Sequence, residues 1–249
     1  MNLPGVTKEL PGALVGRRWL VREDEQHTLA LDEVEAASDP VRALCLNASH
    51  LAGCPRVRGL AVFSEPRWDG DLYTHFVEFP NGYQPLAARS RLEKTDAFRL
   101  GYELMRLVRA AQKVNLCHLT LSSRSVLWRD SELLVQDFWW AHDSDGCPLA
   151  RELGPYLAAY YPPHARPFAA PEALRGAPCR ESDFFSVAAL MVRCLGVDSW
   201  ERAVLEGAGL SPQEAGLVRA MLDRDPGSRP KPSELLGLLS HLGGVEFPE

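Results

Sequence analysis

Residues 118–128 read His-Leu-Thr-Leu-Ser-Ser-Arg-Ser-Val-Leu-Trp, and nine positions further on comes Asp137-Phe138-Trp139. Hydroxyl side chains at Thr120, Ser122, Ser123 and Ser125 crowd the polar part of this stretch, which then turns apolar. The chain changes character well before it, at Pro80-Asn81-Gly82. On the N-terminal side, Arg18 to Val21, His27 to Leu31, Arg58 to Phe63 and Leu72 to Phe79 carry β-branched and aromatic residues between turn signals, which predicts strands. One helix is expected among them: Asp39-Pro40 supplies an N-cap and a proline for the first helical position, and Gly53 can end it. On the C-terminal side the pattern is helical. Thr95 can cap a helix in which Phe98, Gly101, Met105, Val108 and Ala111 recur near a 3.6-residue period. Ser211-Pro212-Gln213-Glu214 forms a capping box, and Ser233 begins a last helix that Gly243 can close. Strands first and helices afterwards predict an α+β protein with two lobes joined near Phe79 to Gly82.

Composition narrows the function classes. A chain of 249 residues, 46% hydrophobic and 24% charged, can bury a substantial core. Its net charge of −6 argues against general binding to nucleic acid or to an anionic membrane, since both need clustered positive charge. No apolar stretch approaches the roughly 20 residues of a membrane-spanning helix. The start of the chain lacks the charged-then-apolar pattern of a leader, so an intracellular, cytoplasmic protein is expected. Six cysteines fall at scattered positions without a CxxC pair, which favours buried thiols over a metal or disulfide framework. Lysine occurs only at positions 8, 94, 113 and 231, and this scarcity bears on the chemistry below.

Residues 118–128 resemble the catalytic loop of Hanks-type protein kinases, and Asp137-Phe138-Trp139 resembles their metal-binding Asp-Phe-Gly motif. Ala170-Pro171-Glu172 is similar to the motif that closes the activation segment, and Ser182-Asp183-Phe184-Phe185-Ser186 to the start of the central buried helix. Asp225-Pro226 with Arg229-Pro230 is similar to a late signature of the same family. Each element alone arises often by chance; the weight lies in their order and spacing. The resemblance implies a two-lobed kinase-like fold, with an antiparallel-sheet N-lobe and one main helix over 1–80 and a larger, mostly helical C-lobe over 81–249.

What it implies for catalysis is loss. Phosphoryl transfer depends on charges placed around phosphates and metal. The strand lysine that should contact the phosphates falls at Asp32 in Leu29-Ala30-Leu31-Asp32, and no lysine lies between positions 8 and 94. Arg22 is a conceivable stand-in, although guanidinium and ammonium are not interchangeable. The helix glutamate that pairs with that lysine is missing too, since none occurs between Glu35 and Glu65. Gly12 and Gly16 do not make a GxGxxG phosphate loop. Thr120 stands where an aspartate should act as base, Ser122 where a lysine is usual, Ser125 where an asparagine holds metal, and Leu119 where an arginine is common. Asp137 alone keeps a catalytic-type charge.

The architectural residues survive. The resemblance implies that Glu172 pairs with Arg229, that Asp183 bonds to the backbone of the catalytic loop, and that His118 packs beneath Phe138. It thus implies a pseudokinase without cofactor, metal or catalysis, acting as a scaffold or regulator for a protein partner such as a kinase or another signalling protein. The alternative is an atypical ATP-binding kinase or nucleotidyl- or phosphotransferase working through Asp137 as metal ligand. Tyr156, Tyr160 and Tyr161, in an aromatic and proline-rich stretch, read equally as a partner surface or as rings packed inward. Asp143-Ser144-Asp145-Gly146 lacks the later ligands of a calcium loop and reads as a solvated turn.

Overall fold

The computed structural model describes residues 8–10, 16–23, 27–38, 41–42, 45–46, 48–49, 57–63, 66–88, 91–114, 116–129, 132–136, 142–143, 161–199 and 201–246. The chain is α+β, and its main sheet is antiparallel. Six strands build that sheet: β1 (Lys8–Leu10), β2 (Arg17–Glu23), β3 (His27–Glu35), β4 (Val62–Phe63), β5 (Arg67–Asp69) and β6 (Leu72–Pro80). Their order is β1-β2-β3-β6-β4, and β5 also pairs with β6. Helical backbone at 41–42, 45–46 and 48–49 falls in the span where Asp39-Pro40 predicts a helix.

The strand expected over Arg58 to Phe63 is shortened to β4 because a turn occupies Arg58 and Gly59. Gly59 has φ 90°, a left-handed conformation that side chains disfavour, and a Cβ there would collide with Leu107. Leu60 then makes a parallel bridge to Val135, which ties this turn to a second sheet. That sheet consists of β7 (Gln84–Pro85), β9 (Val126–Arg129) and β10 (Glu132–Val135); a two-stranded pair joins β8 (Leu116–Cys117) to β11 (His142–Asp143).

Six helices follow in the described residues: α1 (Lys94–Lys113), α2 (Pro171–Leu174), α3 (Ser182–Cys194), α4 (Arg202–Gly207), α5 (Pro212–Met221) and α6 (Pro232–Leu242). Thr95 lies inside α1, whose N-cap is Glu93 with no capping side-chain bond, two positions before the cap that the sequence places at Thr95. The capping box at Ser211 and Glu214 opens α5 with both reciprocal bonds in place. Residues Ser182 to Val192 of α3 are all buried, so this helix is enclosed on every side rather than amphipathic. It packs on α1, where Gly101 leaves room for the Met191 thioether that any Cβ would displace. Among the described residues no helix is long and apolar enough to cross a membrane.

Candidate functional site

The sheet register puts three ionisable residues side by side. Arg18 on β2 lies opposite Asp32 on β3, and Asp32 lies opposite His75 on β6. All three are buried, with Asp32 fully so. The Arg18 guanidinium donates from Nε to Asp32 Oδ1 at 2.6 Å and from its second terminal nitrogen to Oδ2 at 2.7 Å, a bidentate pair. His75 Nε2 stands 3.4 Å from the same carboxylate. Burial pushes the Asp32 carboxyl up, but Arg18 and His75 more than offset it and lower its pKa to about 2. Arg22, the stand-in considered from sequence, is exposed at the far end of β2. The arginine that reaches Asp32 is Arg18, and its charge is matched internally.

Arg18 also reaches across to the residue before Asp137. Its remaining terminal nitrogen donates to Gln136 Oε1 at 3.0 Å. Gln136 is a junction: its backbone N–H bonds to the Ser125 carbonyl at 2.9 Å, and its own carbonyl accepts from His118 Nε2 at 2.9 Å. That contact fixes the proton on Nε2, leaving Nδ1 to accept from the Thr120 backbone N–H at 3.3 Å. Burial lowers the His118 pKa to about 4, so the ring is neutral at ordinary pH. The chain of polar contacts continues into α3, where Asp183 accepts from the backbone N–H of His118 at 2.7 Å and of Leu119 at 2.8 Å. Burial raises the Asp183 pKa to about 6, against those two amides, which lower it.

Leu119 is bent between two anchors. Its φ of 65° is the one positive value outside glycine among the described residues. Asp183 holds its N–H, and the Tyr161 hydroxyl donates to its carbonyl. A strained backbone of this kind persists only where its surroundings over-determine it. Tyr161 is accordingly buried, 2% exposed, and the partner-surface reading of this residue is corrected: its ring packs inward because its hydroxyl is needed at Leu119. Tyr156 and Tyr160 lie outside the described residues.

The hydroxyls of the loop also face inward. Thr120, Ser122 and Ser125 are each fully buried. Ser125 Oγ accepts from the Ser122 N–H at 2.8 Å and donates toward the carbonyls of Thr120 and Ser122 at 3.2 and 3.3 Å. Ser122 Oγ accepts in return from the Ser125 N–H at 3.2 Å. The Thr120 hydroxyl lies 3.4 Å from His118 Nδ1. These groups serve as turn-forming partners for the backbone, as serine and threonine do in tight loops.

A second arginine–carboxylate pair stands beneath α3. Arg229 donates to Glu172 Oε1 at 2.6 Å and to Oε2 at 2.9 Å, and its other donors go to the carbonyls of Asp223 and Glu181. Ser182 Oγ adds a bond to Glu172 Oε1 at 2.8 Å. Burial pushes the Glu172 carboxyl up, and the bonds from Arg229 and Ser182 outweigh that and hold it below the usual range.

The structure thus brings Asp32, His118, Thr120, Ser125 and Asp183 into one buried polar path and sets Glu172 with Arg229 apart from it. Asp137 and Phe138 lie outside the described residues, as does most of Asp143-Ser144-Asp145-Gly146. Among the described residues no group of three or more His, Cys, Asp or Glu side chains could hold a metal ion. Sequence reasoning missed Arg18, His75 and Gln136, and the one available signal was Arg18 standing in a strand next to the acid-bearing strand. No protein-family model and no curated protein matches the chain.

Proposed function

We propose that this chain is a degenerate member of the protein-kinase superfamily, folded in two lobes, that transfers no phosphoryl group and serves as a binding platform for another protein. The observation that carries this reading is the loop at 118–125. At the positions where the resemblance places a catalytic base and a metal ligand, Thr120 and Ser125 are fully buried and their hydroxyls bond within the loop. A base must reach the proton it removes, and a metal ligand must reach the metal. The strand position is consistent: Asp32 is an acid whose charge is matched by Arg18 inside the sheet. Fold does not fix function, and the partner-binding role follows from a frame kept without its chemistry.

Thermal unfolding with ATP, with and without magnesium or manganese, tests this reading. A ligand at about 100 times its dissociation constant adds about 2.7 kcal/mol to the native state. For a chain of this size that raises Tm by several degrees. The expected result is no shift. A metal-dependent shift that Asp137→Ala abolishes would replace the platform reading with the atypical transferase.

A further inference from the structure

One edge of the main sheet carries a short strand with a charge at each end. β5 (Arg67–Asp69, Arg-Trp-Asp) pairs with β6, and no other described strand lies along its outer side. All three residues are exposed, and Trp68 keeps 36% of its surface open to solvent. Its ring is held in place all the same. Tyr73 meets it edge-on with centroids 5.0 Å apart, and the Arg42 guanidinium lies 5.5 Å from its centre. Among the described residues neither Arg67 nor Asp69 has an ion-pair partner.

The turn decides which backbone groups this edge offers. Asp69 pairs with Leu72 across the two-residue turn Gly70-Asp71, and Gly70 has the positive φ, 61°, that such a hairpin favours. A two-residue turn closes on a hydrogen-bonded pair, and pairs alternate from there, so Trp68 opposite Tyr73 is a non-hydrogen-bonded pair. The close contact of those two rings agrees, since side chains approach most closely in such pairs. The N–H and C=O of Trp68 therefore point away from β6, out along the open edge. Pro66 has no N–H and Gly70 begins the turn, so a ladder built on this edge is short and centred on Trp68.

Charged side chains, lysine above all, commonly guard an edge strand against self-pairing, because like charges then meet. Here the charges flanking Trp68 are opposite in sign. Antiparallel pairing of two copies about Trp68 sets Arg67 of each opposite Asp69 of the other. Those are non-hydrogen-bonded positions, where cross-strand side chains stand closest. A slip of one residue turns the outward amide of one strand against backbone that faces inward. A slip of two sets arginine against arginine or aspartate against aspartate, which is repulsive. One register survives.

We infer that this chain self-associates through β5, two copies pairing antiparallel about Trp68 with Arg67 of each on Asp69 of the other. The contact is isologous, so it closes at a dimer. It is also small. A strand this short belongs to the weak, transient class of interfaces, so the dimer forms at high protein concentration and dissociates in salt.

Sedimentation velocity of the full chain, from micromolar to submillimolar concentration and in low and high salt, tests the inference. The expected result is a monomer–dimer equilibrium that salt weakens. Arg67→Asp or Asp69→Arg alone weakens it about tenfold or more, because each sets like charges opposite each other. Two rescues are expected: the double variant Arg67→Asp with Asp69→Arg regains the parent's affinity, and an equimolar mixture of the two single variants forms a mixed dimer. Both side chains are exposed, so the variants are expected to keep the native circular dichroism spectrum. A monomer throughout the range overturns the inference. So does a dimer that the single variants leave intact, since its interface then lies elsewhere. A loss that the double variant or the mixture fails to restore overturns it as well.

Discussion

Two buried arginine–carboxylate pairs sit in different parts of the molecule, and they differ in origin. Glu172 and Arg229 are 57 residues apart, and every Arg229 donor is spent on Glu172, Asp223 or Glu181. Arg18 and Asp32 are 14 residues apart on neighbouring strands, and their link to the rest of the molecule runs through Gln136. The first pair fastens the start of α2 to the turn before α6. The second neutralises a buried carboxylate within the sheet and closes that position off. A pair of the same chemistry therefore serves as frame in one place and as closure in the other.

Breaking the frame should have the largest effect. Arg229→Met leaves Glu172 buried without its partner, at about 3–5 kcal/mol. Urea unfolding of the variant checks this, and pairing it with Glu172→Gln should recover part of the loss, because the orphaned charge is then gone. If the single variant is as stable as the parent, the pair is ornamental.

Arg18→Met comes next, at about 3 kcal/mol and at the low end of that range, because His75 remains 3.4 Å from Asp32. The same pair has a pH signature. The Asp32 pKa is lowered from 3.8 to about 2, so its contribution is fully present above pH 3.8 and is lost as pH falls through 2. Because Asp32 is fully buried, this shift corresponds to about 2 kcal/mol. Stability measured from pH 5 to pH 2 should fall by that much more in the parent than in Arg18→Met. Parallel curves would mean that the arginine does not set the charge on Asp32.

The smallest effect belongs to the loop. Ser125→Ala removes an acceptor for the Ser122 N–H inside a buried turn and should cost about 1–2 kcal/mol in chemical denaturation. A loss above about 4 kcal/mol would show that the whole loop depends on this hydroxyl.

The frame was far more legible in sequence than the closure. Ala170-Pro171-Glu172 and Arg229 stand at positions where short motifs are recognisable, and the strand-then-helix order was readable from period and turn residues. The capping box at Ser211 was plain because its chemistry is local. Arg18 was hidden by a bulge. Near the hairpin end Arg22 pairs with Leu29, and that register continued unbroken would set Arg18 opposite Glu33. The irregularity between Leu20 and Arg22 shifts the pairing by one and brings Arg18 to Asp32. No period in the sequence announces such a shift. Gln136 was hidden for another reason: its role comes from a contact 118 residues away in sequence. Tyr161 was ambiguous because an aromatic, proline-rich stretch reads equally as surface or as packing until the partner of its hydroxyl is known.

The central claim is the proposal that this chain transfers no phosphoryl group. Incubation of the full chain, in excess over γ-labelled ATP with magnesium, followed over hours for phosphate release and for label on protein, tests it most directly. The account predicts both signals at the level of buffer, for the parent and for Asp137→Ala alike. Turnover above that level in the parent, lost in Asp137→Ala, would contradict it.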